Sequence, residues 1–204
     1  MLFSDSYFVI EAANAYVLKS KGSKFLAYAY PVETEADIKN CLSELRKTYP
    51  DASHHCFAWV LGYDQQNFRT NDDGEPSNTA GKPIYRQIQR LQISNILVVV
   101  VRYFGGTLLG VPGLIEAYGS ATAGCLAQCK IIEKKIMEVY QLSCEFGLEN
   151  EIYKLCKQYS TVIVVNSSEQ AFSAEIKIPL QQSTAFKAQI KLNYKIYLKY
   201  LGIA

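Results

Sequence analysis

The sequence predicts a mixed α/β (α+β) chain of two units, and three observations carry that expectation. Alternation of apolar and polar residues from 138 to 146 gives way after Gly147 to helical spacing, then returns. Upstream, Ile96–Val101 is a wholly apolar run flanked by helical patterns. Nine of the twelve glycines fall between Gly62 and Gly124, which marks special backbone geometry in one region, since glycine is entropically costly in regular structure.

In the first unit, residues 1–134, Phe25 to Val32 reads as a strand. Thr34-Glu35-Ala36-Asp37 resembles a capping box with Asp in place of Glu, and Ile38, Cys41, Leu42 and Leu45 give a helical stripe that Pro50 stops. His55 to Leu61 is a strand, and Tyr63 to Asn78 is polar and turn-rich. Ile84, Ile88 and Leu91 mark a short helix. Ile96–Val101 suits a strand covered on both faces, and Pro112 suits the first turn of a helix running to about Cys129. Ala117, Gly119, Ala121, Ala123 and Gly124 let that helix approach its neighbour closely.

In the second unit, residues 135–204, Tyr140, Leu142, Cys144 and Phe146 line one face of a strand. Leu148, Ile152, Leu155, Cys156 and Tyr159 follow at helical spacing, with Glu149 and Glu151 in the first turn, where the helix dipole favours anions. Thr161–Val165 is a β-branched strand, Asn166 to Gln170 a polar turn, and Phe172 to Ile178 an alternating strand ended by Pro179. A helix over 183–193 and a strand from Ile196 to Tyr200 complete a β-α-β-β-α-β order, the ferredoxin-like plan. The boundary is expected near Glu133 to Ile136.

Composition narrows the function classes. With 49% hydrophobic and 20% charged residues among 204, this is ordinary globular chemistry. The longest apolar run is far too short to span a bilayer, and the N-terminus shows no basic stretch or cleavage pattern, so the expectation is a cytoplasmic protein with no membrane partner. Its six cysteines then read as free thiols. Residues 1–134 hold 13 basic and 13 acidic side chains, and the whole chain carries +2. Strong nonspecific DNA binding is not expected without a basic excess.

Two segments concentrate the chemistry: Asn71 to Pro83, and Arg102 to Gly113 at the end of the apolar strand, where open α/β folds place ligands. Gly81-Lys82 lacks the P-loop spacing, and glycines 105, 106 and 110 do not form G-x-G-x-x-G, so no nucleotide cofactor is expected. A looser anion site of backbone N–H groups near Pro112, with Arg102 nearby, stays open. Asp72, Asp73 and Glu75 offer three carboxylates to a cation, but the favoured reading is a turn whose carboxylates cap N–H groups or pair with Arg69. His54 and His55 point to opposite faces of one strand and cannot share a metal. A strand-end histidine bonded to neighbouring backbone is the favoured reading of either. Cys125 and Cys129 read as packing residues. No catalytic or metal constellation emerges.

Asp72-Asp73-Gly74-Glu75-Pro76-Ser77 with Thr79-Ala80-Gly81, then Val101-Arg102-Tyr103-Phe104-Gly105-Gly106, then Leu109-Gly110, Gly113-Leu114 and Ala117-Tyr118 resemble the signature of the IMPACT/YigZ family. The flanking Ser23-Lys24-Phe25 and His54 with Ala58 fit as well. Three positions depart from the family pattern: Asn78 where glycine is frequent, Val111-Pro112 for a Thr-Gly pair, and Glu116 for a basic residue.

The resemblance implies an N-terminal domain like one shared by ribosomal proteins and translation factors, and a C-terminal domain similar to the fifth domain of elongation factor G. It further implies a non-enzymatic, translation-linked binding or regulatory protein that contacts a component of the translation apparatus, with the ribosome or RNA as partner. The binding surface so implied comprises Asp72, Asp73, Glu75, Thr79 and Lys82, then Arg102 as charge anchor, Tyr103 and Phe104 as flat contacts, and Gly105 and Gly106. The alternative is a metal-dependent enzyme on a small phosphorylated or nucleotide-like substrate, its metal held by Asp72, Asp73 and Glu75.

Overall fold

The computed structural model of the chain describes residues 5–145, 147–159, 161–165, 172–192 and 195–203. They form two compact units, one running Tyr7–Lys134 and the other holding Asp5, Ser6 and the described residues from Lys135 onward.

The Tyr7–Lys134 unit is built on a five-stranded sheet. In chain order its elements are β1 (Ser6–Ile10), β2 (Asn14–Ser20), β3 (Ser23–Pro31), α1 (Glu35–Thr48), β4 (His54–Leu61), β5 (Asn67–Asn71), α2 (Gly81–Arg90), β6 (Ile96–Tyr103), α3 (Gly110–Leu126) and β7 (Ile131–Lys135). The sheet order is β2-β3-β6-β4-β5 with every neighbour antiparallel, while β1 pairs with β7 apart from it. Period-two alternation sorts the three inner strands onto two faces. Phe25, Ala27 and Ala29, with Cys56, Ala58, Val60, Ile96, Val98 and Val100, face α2 and α3. Leu26, Phe57, Trp59, Leu61, Leu97, Val99 and Val101 face α1 through Ile38 and Leu45.

The apolar strand is therefore the sheet's centre, buried on both sides from Ile96 to Val101. It is covered by helices as expected, but its neighbours run antiparallel. The rule for parallel sheets does not choose the ligand end here. Instead, the end where β6 leaves is the end where β3 and β4 begin, which brings Ser23, Ser53 and His54 beside Arg102.

Local chemistry sets the element ends. The Thr34 hydroxyl accepts from the Asp37 N–H, and the Asp37 carboxylate accepts in return from the Thr34 N–H, so the capping box forms with aspartate. The small residues of α3 do allow close approach: a Cβ on Gly124 would fall 2.4 Å from the Tyr16 ring. The helix ends at Leu126, earlier than expected.

The second unit follows the β-α-β-β-α-β order: β8 (Met137–Cys144), α4 (Glu149–Gln158), β9 (Val162–Val165), β10 (Phe172–Pro179), α5 (Leu180–Lys191) and β11 (Ile196–Ile203). Its antiparallel sheet is ordered β11-β8-β10-β9. Inward residues Tyr140, Leu142, Cys144, Ala174, Ile176 and Ile178 pack on Ile152 and Cys156 of α4 and on Phe186 and Ile190 of α5. The α5 helix starts directly after Pro179, three residues before the expected start. Phe146 and the turn from Asn166 to Gln170 lie outside the described residues. Among the described residues no helix is long and apolar enough to cross a membrane.

Candidate functional site

The segment after β5 folds around its own carboxylates. The Asp72 carboxylate accepts from the N–H groups of Asn78, Ala80 and Gly81 at 2.8–3.0 Å. It thus caps α2, whose own N-cap residue, Ala80, offers no side chain. Asn78 has φ +63°, the left-handed region that glycine and asparagine tolerate best. That accounts for asparagine standing where glycine is frequent in the family signature.

Asp73 turns the opposite way. Its carboxylate accepts from Arg46 Nη2 at 2.8 Å and from the His55 N–H at 2.6 Å. The expected cap and ion pair are both present, but the partner is Arg46 of α1, not Arg69. Glu75 points inward, its side chain 4% exposed, and its Oε1 accepts from Arg102 Nη1 at 2.6 Å and from the Tyr118 hydroxyl at 2.7 Å. The three carboxylates serve three different places and do not converge. No cluster of three or more His, Cys, Asp or Glu side chains placed to hold a metal ion occurs among the described residues.

Around Glu75 runs a buried polar chain. The Tyr118 ring is set by an edge-on contact with Phe25, centroids 5.1 Å apart, and its hydroxyl lies 3.3 Å from Cys56 Sγ. Burial above all pushes both the Tyr118 hydroxyl and the Cys56 thiol upward, so both stay protonated and the thiol is a poor nucleophile. Arg102 itself is 5% exposed, and its guanidinium lies 5.5 Å from each of the Phe25 and Phe104 rings. The residue expected to present a charge to a partner is therefore neutralised by Glu75 and shielded by aromatic rings.

Strand alternation separates Tyr103 from Phe104. The Tyr103 hydroxyl donates to Asp51 at 2.8 Å, and its ring packs with the α1-side cluster. Phe104 stays half-exposed on the other side. Gly105 follows so close to Gly22 that a Cβ on it would lie 1.9 Å from the Gly22 carbonyl carbon, and its N–H donates to the Ser23 hydroxyl. This contact sets the path of the loop into α3.

The outcome is a groove of about 550 Å³ at the exit of β6. Its walls are Pro76, Phe104, Leu108, Leu109, Val111 and Leu114, and its polar lining is Ser53, His54, Glu75 and Arg102. Three wall residues stand out into solvent: Leu108 is 84% exposed, Val111 51% and Phe104 48%. His54 Nδ1 lies 2.8 Å from the Asp73 carbonyl, which can only accept, so Nδ1 carries the proton and Nε2 of the neutral ring is an acceptor. The backbone-bonded histidine of the sequence reading is thus present, yet its other nitrogen lies 3.9 Å from Glu75 within the groove lining.

Of the ten residues nominated from the sequence, Glu75, Arg102 and Phe104 line the groove. Asp72, Asp73 and Gly105 shape the loops around it. Thr79 is buried, donating to the Pro76 carbonyl at 2.6 Å, and Lys82 lies exposed on α2; neither it nor Tyr103 nor Gly106 lines the groove. Ser53, His54, Pro76, Leu108, Leu109, Val111 and Leu114 were not nominated.

His55, on the face opposite His54, is held below the ordinary imidazole range, first by burial and then by the Arg46 charge. Burial would raise the Asp73 carboxyl, but the hydrogen bonds from Arg46 and from the His55 N–H outweigh it and lower the group. Both folded values lie below the unfolded ones, so both contributions are complete above the unfolded value and fade as pH falls. The His55 contribution fades below about pH 6.5 and that of Asp73 only below about pH 4. The melting temperature should therefore drop between pH 7 and pH 5, and His55→Gln should shrink that drop. A wild-type melting temperature that is flat across this interval contradicts the assignment.

The sequence model of the Impact N-terminal domain matches residues 21–126, more than half the chain and every residue of the groove. The chain belongs to the IMPACT family. IMPACT family member YigZ of Escherichia coli is 35% identical over 189 residues, covering 91% of this chain and 92% of that relative. Protein IMPACT of Homo sapiens is 30% identical over 96 residues, 46% of this chain but 30% of that protein. A solved crystal structure described as a hypothetical protein aligns over 99% of both chains with a TM-score of 0.76 and 31% identity. The matched segment thus contains the ion pair, the capping carboxylate and the close glycine contact that together build the groove.

Proposed function

We propose that the chain is a non-enzymatic regulatory protein linked to translation, which holds a component of the translation apparatus at the groove where β6 ends. The observation that carries this reading is the set of exposed apolar side chains, Phe104, Leu108 and Val111, gathered on one groove inside the family-defining segment. Soluble domains tolerate scattered surface apolar residues, but a contiguous set lining a groove marks a contact surface. The link to translation rests on what membership of the IMPACT family implies, and it implies a cytoplasmic site of action. The buried, paired state of Arg102, Glu75 and Cys56 supports a preformed binding site over a reactive one.

Sedimentation of the purified chain with ribosomes and separated subunits, at low and at moderate salt, tests the reading. Cosedimentation that persists at moderate salt is the expected result. Absence from every ribosomal fraction at both salts would remove the ribosome as direct partner.

A further inference from the structure

We propose that the groove takes an uncharged, apolar segment of a partner protein, seating one bulky aliphatic or aromatic side chain between Leu108, Val111 and Phe104. The inference rests on the reading of this groove as the contact surface and adds the class of its occupant. Three features of the lining choose protein over RNA.

The first is charge. RNA is gripped through phosphates by free cations and through bases by stacking platforms. The groove's one cation, Arg102, is paired with Glu75 at 2.6 Å and covered by the Phe104 ring, so a phosphate finds no free charge there. The Arg102 and Glu75 charges offset each other, which matches an uncharged occupant. The second feature is the walls. Five of the six are aliphatic or proline and only Phe104 is aromatic, a surface that suits a side chain better than a base.

The third is the pattern of polar groups. In its neutral form His54, bonded through Nδ1 to the Asp73 carbonyl, offers Nε2 as an acceptor, its side chain 24% exposed. Gly110 and Val111, which open α3, line the same groove, and the N-cap Leu109 provides no side-chain hydrogen bond to that helix end. The neutral imidazole and a helix start without a side-chain cap, present in one lining, complement a peptide group, which brings an N–H and a C=O together, whereas a phosphate brings acceptors alone.

Panning the folded full-length chain against a phage-displayed library of random dodecapeptides tests this. The expected result is enrichment of peptides sharing one bulky apolar residue. A synthetic copy should lose about tenfold or more in affinity when that residue becomes alanine, and as much against Leu108→Asp or Val111→Asp. Its affinity should change little between about 50 and 300 mM salt, unlike a phosphate contact.

Enrichment of nothing above the bare support would overturn the proposal, as would enriched peptides indifferent to both groove variants. Binding of a random single-stranded RNA pool that is lost in Leu108→Asp and falls steeply with salt would overturn it in favour of RNA. Both variants are made at exposed positions, and a melting curve on each separates loss of binding from loss of fold. Ribosome sedimentation decides the link to translation independently, so either reading can fail while the other stands.

Discussion

Arg102→Ala should destabilise the Tyr7–Lys134 unit by about 3–5 kcal/mol, because it leaves the buried Glu75 carboxylate without its counter-ion. That is a large share of the roughly 5–15 kcal/mol that holds a typical domain together. Among the described residues Tyr118 would remain as hydrogen-bond donor to Glu75 Oε1, and a neutral hydroxyl does not compensate a buried charge. The double variant Glu75→Gln/Arg102→Met should recover most of the loss, since it removes both charges and keeps the volume. Urea denaturation of the three proteins measures both effects. A single variant that melts like wild type would show that the pair contributes nothing to the fold. The expected outcome also governs how binding experiments are read: loss of partner in Arg102→Ala is first a loss of fold.

Gly105→Ala should cost about 3 kcal/mol or more, at the upper end of what overpacking usually costs. The three nearest atoms its Cβ would strike all belong to backbone: the Gly22 carbonyl carbon at 1.9 Å, the Gly22 oxygen at 2.2 Å and the Ser23 nitrogen at 2.3 Å. No rotamer change relieves such a contact, so the β2–β3 turn and the loop after β6 must move apart. The neighbouring Gly106→Ala is the informative control. Its Cβ meets nothing within 4 Å, and it carries only the strain of φ +82°, about 1 kcal/mol. Thermal melts of the two variants should rank Gly105→Ala clearly below Gly106→Ala. Equal melting temperatures would mean that the close glycine contact does not hold the loop.

Elements with strong periodicity or sharp punctuation were legible in the sequence: β6, α1 with its aspartate capping box, and the whole β-α-β-β-α-β order of the second unit. Four strands, β1, β2, β5 and β7, were not read. β2 lies at the sheet edge with no fully buried residue, so its alternation carries little contrast. β5 is polar and mostly exposed, and is held by its pairing with β4 and by Phe68 stacking on Tyr85 of α2, which composition does not register. β1 takes its partner from β7, more than a hundred residues away.

The site was half legible for a related reason. The Asp72–Gly81 and Arg102–Gly113 segments declared themselves through glycine and carboxylate content. Their pairings did not, because Arg46, Ser23, Gly22 and Tyr118 lie far away in the chain and meet them only in the fold. Leu108, Leu109 and Val111 lay within the second segment but were not nominated as site residues. Only the fold exposes two of them, by fixing the loop against Gly22.

The claim that the groove is the working surface is tested most directly by Leu108→Asp in the ribosome sedimentation experiment. Leu108 is 84% exposed, so the substitution should leave the melting temperature nearly unchanged, within the roughly 0.5 kcal/mol usual for surface positions. The predicted result is a normally folded variant that no longer cosediments with the fraction that binds wild type. A folded variant that cosediments as well as wild type would contradict the claim and move the contact surface elsewhere on the chain.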